Sequence, residues 1–142
     1  PIDSVDKTDF YIFVVPNQFS SDDKVEGRFQ ITQTPALEGG TLDSAYELLK
    51  GFASEVKDEE GTTNFRVTTD GKDVKIFGQP AKEVVVEYDT AFQDETKPVV
   101  QVSAVVIMGA DIYIVEYFDE KSDYDKYRKV LDKLYSSMTK VL

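Results

Sequence analysis

Acidic side chains are the residues of this chain best suited to bind metal ions or to transfer protons, and they are densest just before its C-terminal segment. The stretch Asp119-Glu120-Lys121-Ser122-Asp123-Tyr124-Asp125 places four acids within seven residues. Carboxylates and loop carbonyls at this density are the ligands that Ca²⁺ prefers, so Asp119, Asp123 and Asp125 are candidate metal ligands. The stretch lacks the glycine and the final glutamate of an EF-hand loop. The alternative is helix capping, because acids near a helix N-terminus are stabilised by the helix dipole.

A second group of carboxylates lies on segments that are predicted to be neighbouring strands. Its members are Glu83, Glu87, Glu116 and Asp119. Paired carboxylates can carry out acid–base chemistry when their environments separate their pKa values. We expect these four residues to occupy exposed strand positions instead.

Aromatic side chains provide the candidate partner-binding residues. Tyr11, Phe13 and Phe19 lie in and after the first apolar segment, and they predict a docking surface if they remain exposed. Tyr124, Tyr127 and Tyr135 in the C-terminal segment are candidates to line a ligand groove. The helical spacing of the first two also fits a buried stripe, for which core packing is the alternative.

The composition of the 142 residues excludes many functions. The chain contains no Cys and no His, so it has no thiol nucleophile, no zinc–thiolate site, no imidazole base and no Ser-His-Asp triad. We therefore expect no cofactor, with Ca²⁺ in an all-oxygen site as the one alternative. The formal net charge is −11, which argues against binding to nucleic acid, since that requires a cationic surface.

Targeting and membrane signals are few. No run of apolar residues approaches the roughly 20 that a membrane-spanning helix needs. The first residue is Pro1 rather than Met, so we expect that an upstream segment was removed. This segment is either a signal sequence, which could carry a lipid anchor, or the boundary of the expressed region. The oligomeric state is left open.

The apolar pattern predicts a single domain over residues 1–142, with residues 1–9 as a flexible tail. The predicted order is β-β-α-β-β-β-β-β-α. The first helix begins at the N-cap Thr41 and buries the stripe Leu42, Ala45, Leu49, Phe52 and Val56. Asp70-Gly71 and Gly109-Ala110 are predicted hairpin turns. The fold class is α+β, with an antiparallel sheet of about six to seven strands flanked by helices on both faces, an α/β/α sandwich.

Ordered features along nearly the whole chain resemble the PsbP/DcrB family, whose fold is shared with the Ran-binding Mog proteins. These features are the opening strand Phe10–Pro16, the capped helix from Thr41, the strand Gly78–Tyr88, the hairpin Gly109–Tyr117 and the helix ending Ser136-Ser137-Met138. They are packing and turn signatures rather than catalytic motifs. The resemblance implies a PsbP-like fold and a small non-enzymatic module, often an envelope lipoprotein.

Three functional hypotheses follow. The first is an accessory module of the cell envelope that binds a protein partner, located outside the cytoplasm after signal removal. The second is a cytosolic adaptor or chaperone of the same fold, which holds an apolar segment of its partner. The third is a Ca²⁺-binding protein or a carboxylate-based enzyme.

Overall fold

The computed structural model describes residues 27–36 and 40–137, together with the backbone of residues 9–13. The candidate Phe19 lies outside these residues. So does the predicted tail, except that Asp9 begins the first strand. The elements, in chain order, are β1 (Asp9–Phe13), β2 (Arg28–Pro35), α1 (Leu42–Ser54), a 3₁₀ turn (Glu55–Asp58), β3 (Thr62–Ile76), β4 (Gln79–Phe92), β5 (Glu95–Met108), β6 (Asp111–Glu120) and α2 (Lys121–Ser137).

The strands form one antiparallel sheet in the order β1-β2-β6-β5-β4-β3. Strands β3, β4, β5 and β6 follow one another through short connections. Each of β4, β5 and β6 therefore pairs with the strand before it. The predicted turn at Gly109-Ala110 joins β5 to β6, where Met108 pairs with Asp111 and Gly109 has φ +62°. The α+β class with an antiparallel sheet is therefore confirmed.

The predicted hairpin at Asp70-Gly71 is wrong, because β3 continues through it. Asp70 pairs with Val84 and Lys72 pairs with Glu83, which leaves Gly71 as the extra residue of a β-bulge with φ +69°. Two segments predicted as separate strands are thus one strand. The Asp70 carboxylate is held from α1, since Tyr46 donates a hydrogen bond to Oδ1 and Lys50 Nζ lies 2.7 Å from Oδ2.

Alanine substitutions at two glycines are expected to change the free energy of unfolding in opposite directions. Gly71→Ala should reduce the free energy of unfolding by about 1–2 kcal/mol, since an L-residue is disfavoured at positive φ. Gly51 lies in α1 with open space at its Cβ position, so Gly51→Ala should increase this free energy by about 0.5–1 kcal/mol. Urea unfolding of both variants measures the two signs. Equal effects would contradict the bulge.

Helix α1 begins as the sequence predicts. Thr41 Oγ1 accepts a hydrogen bond from the backbone N–H of Ser44 at 3.1 Å, and Ser44 Oγ accepts one from the Thr41 N–H at 2.9 Å. This capping box satisfies two N–H groups that the helix itself leaves without partners. The predicted buried stripe is wrong at Phe52, whose relative exposure is 64%. Tyr46 is buried in the helix interface in its place.

Two hydrophobic clusters divide the buried side chains of β4 and β5. Ala45, Leu49 and other α1 side chains pack against Val84, Val86, Tyr88, Val99 and Val105. Leu131 and Tyr135 of α2 belong to the other cluster, with Ala81, Val85, Val100, Val102 and Ala104. The two sets alternate along each strand, and successive side chains of a strand point to opposite faces. The α1 and α2 clusters therefore lie on different faces of the sheet.

Helix α2 starts directly after β6, at Lys121. No loop separates β6 from α2. Asp119, the penultimate residue of β6, accepts a hydrogen bond from the Glu120 N–H at 2.8 Å. The spacing of Tyr124, Tyr127, Leu131, Leu134 and positions 138 and 141 predicts a buried stripe on this helix. Leu131 is buried and Tyr124, Tyr127 and Leu134 are half-buried, while positions 138 and 141 lie outside the described residues.

Candidate functional site

The three aspartates predicted as Ca²⁺ ligands have other partners. Asp119 is buried and accepts a hydrogen bond from the Tyr117 hydroxyl at 2.6 Å. Asp125 is exposed and pairs with Lys121 at 3.0 Å, while Asp123 is buried 3.9 Å from Lys126. Within residues 27–36 and 40–137, no three acidic side chains are grouped so that they could hold a metal ion. The structure therefore does not assemble these residues as ligands.

The four strand carboxylates are neither neighbours nor all exposed. Glu83 and Glu87 lie on β4, whereas Glu116 and Asp119 lie on β6, and β5 separates the two strands. Glu83 is 1% exposed and both of its carboxylate oxygens lie 2.9 Å from Arg128 Nη2 of α2. The expectation of exposed positions is thus wrong for Glu83 and Asp119. A partner 45 positions later in the sequence makes the burial of Glu83 tolerable.

The candidate tyrosines of α2 lie on the α2 face of the sheet. Tyr124 and Tyr127 are half-buried against the α2 cluster, and the Tyr124 ring stacks on Tyr117 with 6.3 Å between centroids. Tyr11 and Phe13 lie on β1, where only the backbone is described. Together with Phe19, these aromatic residues remain predicted partner contacts.

A groove of about 460 Å³ opens on the other face, where α1 ends. Helix α1 packs on β4 and β5, so its C-terminal end and the 3₁₀ turn form one wall. Strands β4, β5, β6 and β2 form the floor. The wall consists of Phe52, Glu55, Val56 and Glu59, and the floor consists of Tyr88, Thr90, Gln101, Glu116, Phe118, Gln30 and Arg28.

The groove combines aromatic surface with an excess of negative charge. The Arg28 guanidinium lies over the Phe118 ring, 5.8 Å from its centroid, which is the geometry of a cation–π contact. Three glutamates, Glu55, Glu59 and Glu116, face this single cation. The exposed Phe52 adds an apolar edge, and Leu48, one turn earlier on the same helix, is 56% exposed. Aromatic surface combined with a few charged side chains suits the site to binding.

Among the three groove carboxylates, Glu116 is the one partly removed from solvent, since Glu55 and Glu59 are exposed. It is half-buried, and among the described residues it forms no ion pair. Burial raises the pKa of Glu116, and the charge of Arg28 opposes that rise in part. Ser103 lies directly across from it on β5, and its buried hydroxyl has no hydrogen-bond partner in the described part of the chain. Burial also raises the pKa of Tyr88, with Glu59 adding to the effect and Arg28 opposing it.

The ionised carboxylate of Glu116 should therefore lower the free energy of unfolding. Because its pKa is higher in the folded than in the unfolded chain, the cost is fully present above the folded-state pKa and absent below the unfolded value. We expect Glu116→Gln to retain or slightly raise Tm at pH 7. Its advantage over the wild type should shrink as the pH falls through the folded-state pKa. Thermal melts from pH 7 to pH 4 test this, and an advantage that grows on acidification would contradict it.

Sequence reasoning misses most of this groove. The spacing of Phe52 predicts a buried position, and Arg28 and Glu59 have the pattern of ordinary strand and loop residues. The available signal is Glu116, which stands between the apolar Ile114 and Phe118 on one face of a central strand. A carboxylate at such a position destabilises the folded chain unless it is paired or hydrogen-bonded, so it marks a candidate binding site.

Comparisons with known proteins identify the fold. The chain matches no protein-family model, and no curated protein is similar to it in sequence. Among solved structures, PA94 from Pseudomonas aeruginosa, a protein of unknown function, is 12% identical with a TM-score of 0.65; the match covers 99% of this chain and 88% of that one. Cyanobacterial PsbP (CyanoP) from Synechocystis is 13% identical with a TM-score of 0.57, over 90% of this chain and 79% of that one.

A third structure extends this group. LpqN, involved in cell envelope biogenesis of Mycobacterium tuberculosis, is 11% identical with a TM-score of 0.54, over 96% of this chain and 86% of that one. The chain therefore has a PsbP-like fold, as the resemblance implies. In the described part of the chain, neither helix has the length and hydropathy required to cross a bilayer.

Proposed function

We propose that this chain is a non-enzymatic accessory module of the cell envelope, and that it binds a protein partner in the groove beside α1. The observation that carries the proposal is the groove itself. It joins exposed aromatic surface at Phe52 to the half-buried carboxylate of Glu116, whose charge Arg28 offsets only in part. Exposed apolar surface that is rimmed by charged groups marks interaction sites.

The structural neighbours support the envelope part of the proposal. LpqN is described as involved in cell envelope biogenesis, and CyanoP is a cyanobacterial PsbP. They share the fold with this chain at low sequence identity, so the likeness carries no residue-level roles. The argument for partner binding therefore rests on the groove residues of this chain.

Site-specific photocrosslinking in the native organism tests the proposal. A photoreactive phenylalanine analogue replaces Phe52 in one variant and Val130 in the control. Val130 is also 56% exposed but lies on α2. We expect a saturable adduct with one protein from position 52 and none from position 130. Fractionation of the adduct then separates an envelope module from the cytosolic adaptor.

Reconstitution completes this test. The identified partner is purified, and its Kd is measured for the wild type and for Phe52→Ala. Loss of a well-buried aromatic contact should weaken binding about tenfold or more. Adducts of equal yield at both positions, or a Kd unchanged by Phe52→Ala, would contradict the proposed function.

A further inference from the structure

We infer that the groove selects a cationic segment of its partner, one in which a Lys or Arg side chain stands next to a large apolar side chain. This inference rests on the proposed function and specifies the chemistry of the partner. Within the groove, three carboxylates face one guanidinium, and that guanidinium already lies over Phe118. The charge that the groove lacks is therefore positive.

The position of Glu116 identifies where the cation binds. It stands at the centre of the floor, between Gln30 on β2 and Ser103 on β5, which are its direct cross-strand neighbours. Ser103 is 1% exposed and its hydroxyl has no hydrogen-bond partner among the described residues. An ammonium or guanidinium group at this point would pair with the carboxylate. A charge-assisted hydrogen bond in a partly desolvated site is stronger than one at the surface.

The wall of the groove explains why the partner segment should carry a large apolar side chain. Phe52 and Leu48 are four positions apart in α1, and they are 64% and 56% exposed. Residues at this spacing lie one turn apart on one face of a helix, so they form a continuous apolar ridge. Glu55 and Glu59 continue along the same wall. A segment that alternates apolar and basic side chains matches both features.

The whole chain favours the same class of partner. Its net charge of −11 attracts cationic segments over a distance and repels anionic ones. Salt weakens such attraction, because exposed charges are screened beyond about 8 Å at physiological ionic strength. Long-range attraction alone would not distinguish one carboxylate from another, however. The test must therefore separate Glu116 from the acidic surface in general.

Selection from a display library of random dodecapeptides against the full chain makes that separation. The matched variants are Glu116→Gln in the groove and Glu60→Gln, which removes the same charge at an exposed position outside the lining. We expect enriched peptides with Lys or Arg adjacent to Leu, Ile or Phe. Glu116→Gln should weaken their Kd about tenfold or more. Glu60→Gln should change it less than about twofold.

Each other outcome has a definite meaning. Enriched peptides that are neutral or acidic, or cationic peptides whose Kd responds equally to both variants, overturn the inference and leave the proposed function standing. No enrichment from any library overturns both. Sedimentation equilibrium of the wild type adds one further outcome. Self-association that Glu116→Gln abolishes would assign the groove to a second copy of this chain and overturn the inference.

Discussion

Arg128→Met is expected to lower the free energy of unfolding by about 3–5 kcal/mol, the cost of leaving a buried charge without its partner. Arg128 Nη2 lies 2.9 Å from both carboxylate oxygens of Glu83, which is 1% exposed at the centre of β4. Methionine retains most of the side-chain volume, so the loss reports the charge rather than the packing. Urea unfolding at pH 7 measures it.

Two further variants make this result interpretable. Glu83→Met in the Arg128→Met background removes the isolated carboxylate, and we expect it to recover most of the lost stability. Arg66→Met is the matched surface control, since Arg66 is about half exposed and lies 3.6 Å from Glu87. Its cost should stay below about 1 kcal/mol. A loss in Arg128→Met no larger than that of Arg66→Met would contradict the buried ion pair.

Leu49→Ala is expected to lower the free energy of unfolding by about 2–5 kcal/mol. Leu49 is 4% exposed at the centre of the cluster between α1 and the sheet. Truncation loses the buried methyl groups and leaves a cavity that the rigid floor of Val84 and Val86 cannot fill. Since α1 also forms the wall of the groove, this variant should weaken partner binding as well.

The neighbouring residue of the same helix is the control. Leu48 is 56% exposed, and Leu48→Ala should change the free energy of unfolding by no more than about 0.5 kcal/mol. Its effect should appear in binding alone, because Leu48 and Phe52 form an apolar ridge on α1 that adjoins the groove. Comparable losses of stability in the two variants would mean that α1 does not pack on the sheet as described.

Local signals in the sequence are sufficient for much of the fold. The capping box at Thr41 and the turn at Gly109 each involve residues a few positions apart, so their chemistry is visible in the sequence. The opposite facing of Ile114 and Val115 on β6 follows from strand alternation alone. These features establish an antiparallel α+β chain before any long-range contact is known.

The failures share a different cause, which is dependence on residues far away in the sequence. Asp70-Gly71 has the composition of a hairpin turn, but the long pairing with β4 and the bond from Tyr46 make it a bulge. The alternating pattern around Glu83 predicts an exposed residue. Its burial is explained only by the contact with Arg128, which lies far away in the sequence. Phe52 has the spacing of a core residue, yet α1 packs mainly on β4 and β5, and the groove begins where that packing stops.

The measurement that tests the central claim most directly is an NMR titration of the ¹⁵N-labelled full chain with the most enriched cationic dodecapeptide. The account predicts shifts concentrated on the amides of Glu116, Phe118, Tyr88 and the end of α1, with a Kd at least about tenfold weaker in Glu116→Gln. Amides around Leu131 and Tyr135, on the other face of the sheet, should not move. Shifts centred on α2, or a Kd that Glu116→Gln leaves unchanged, would contradict the groove as the binding site.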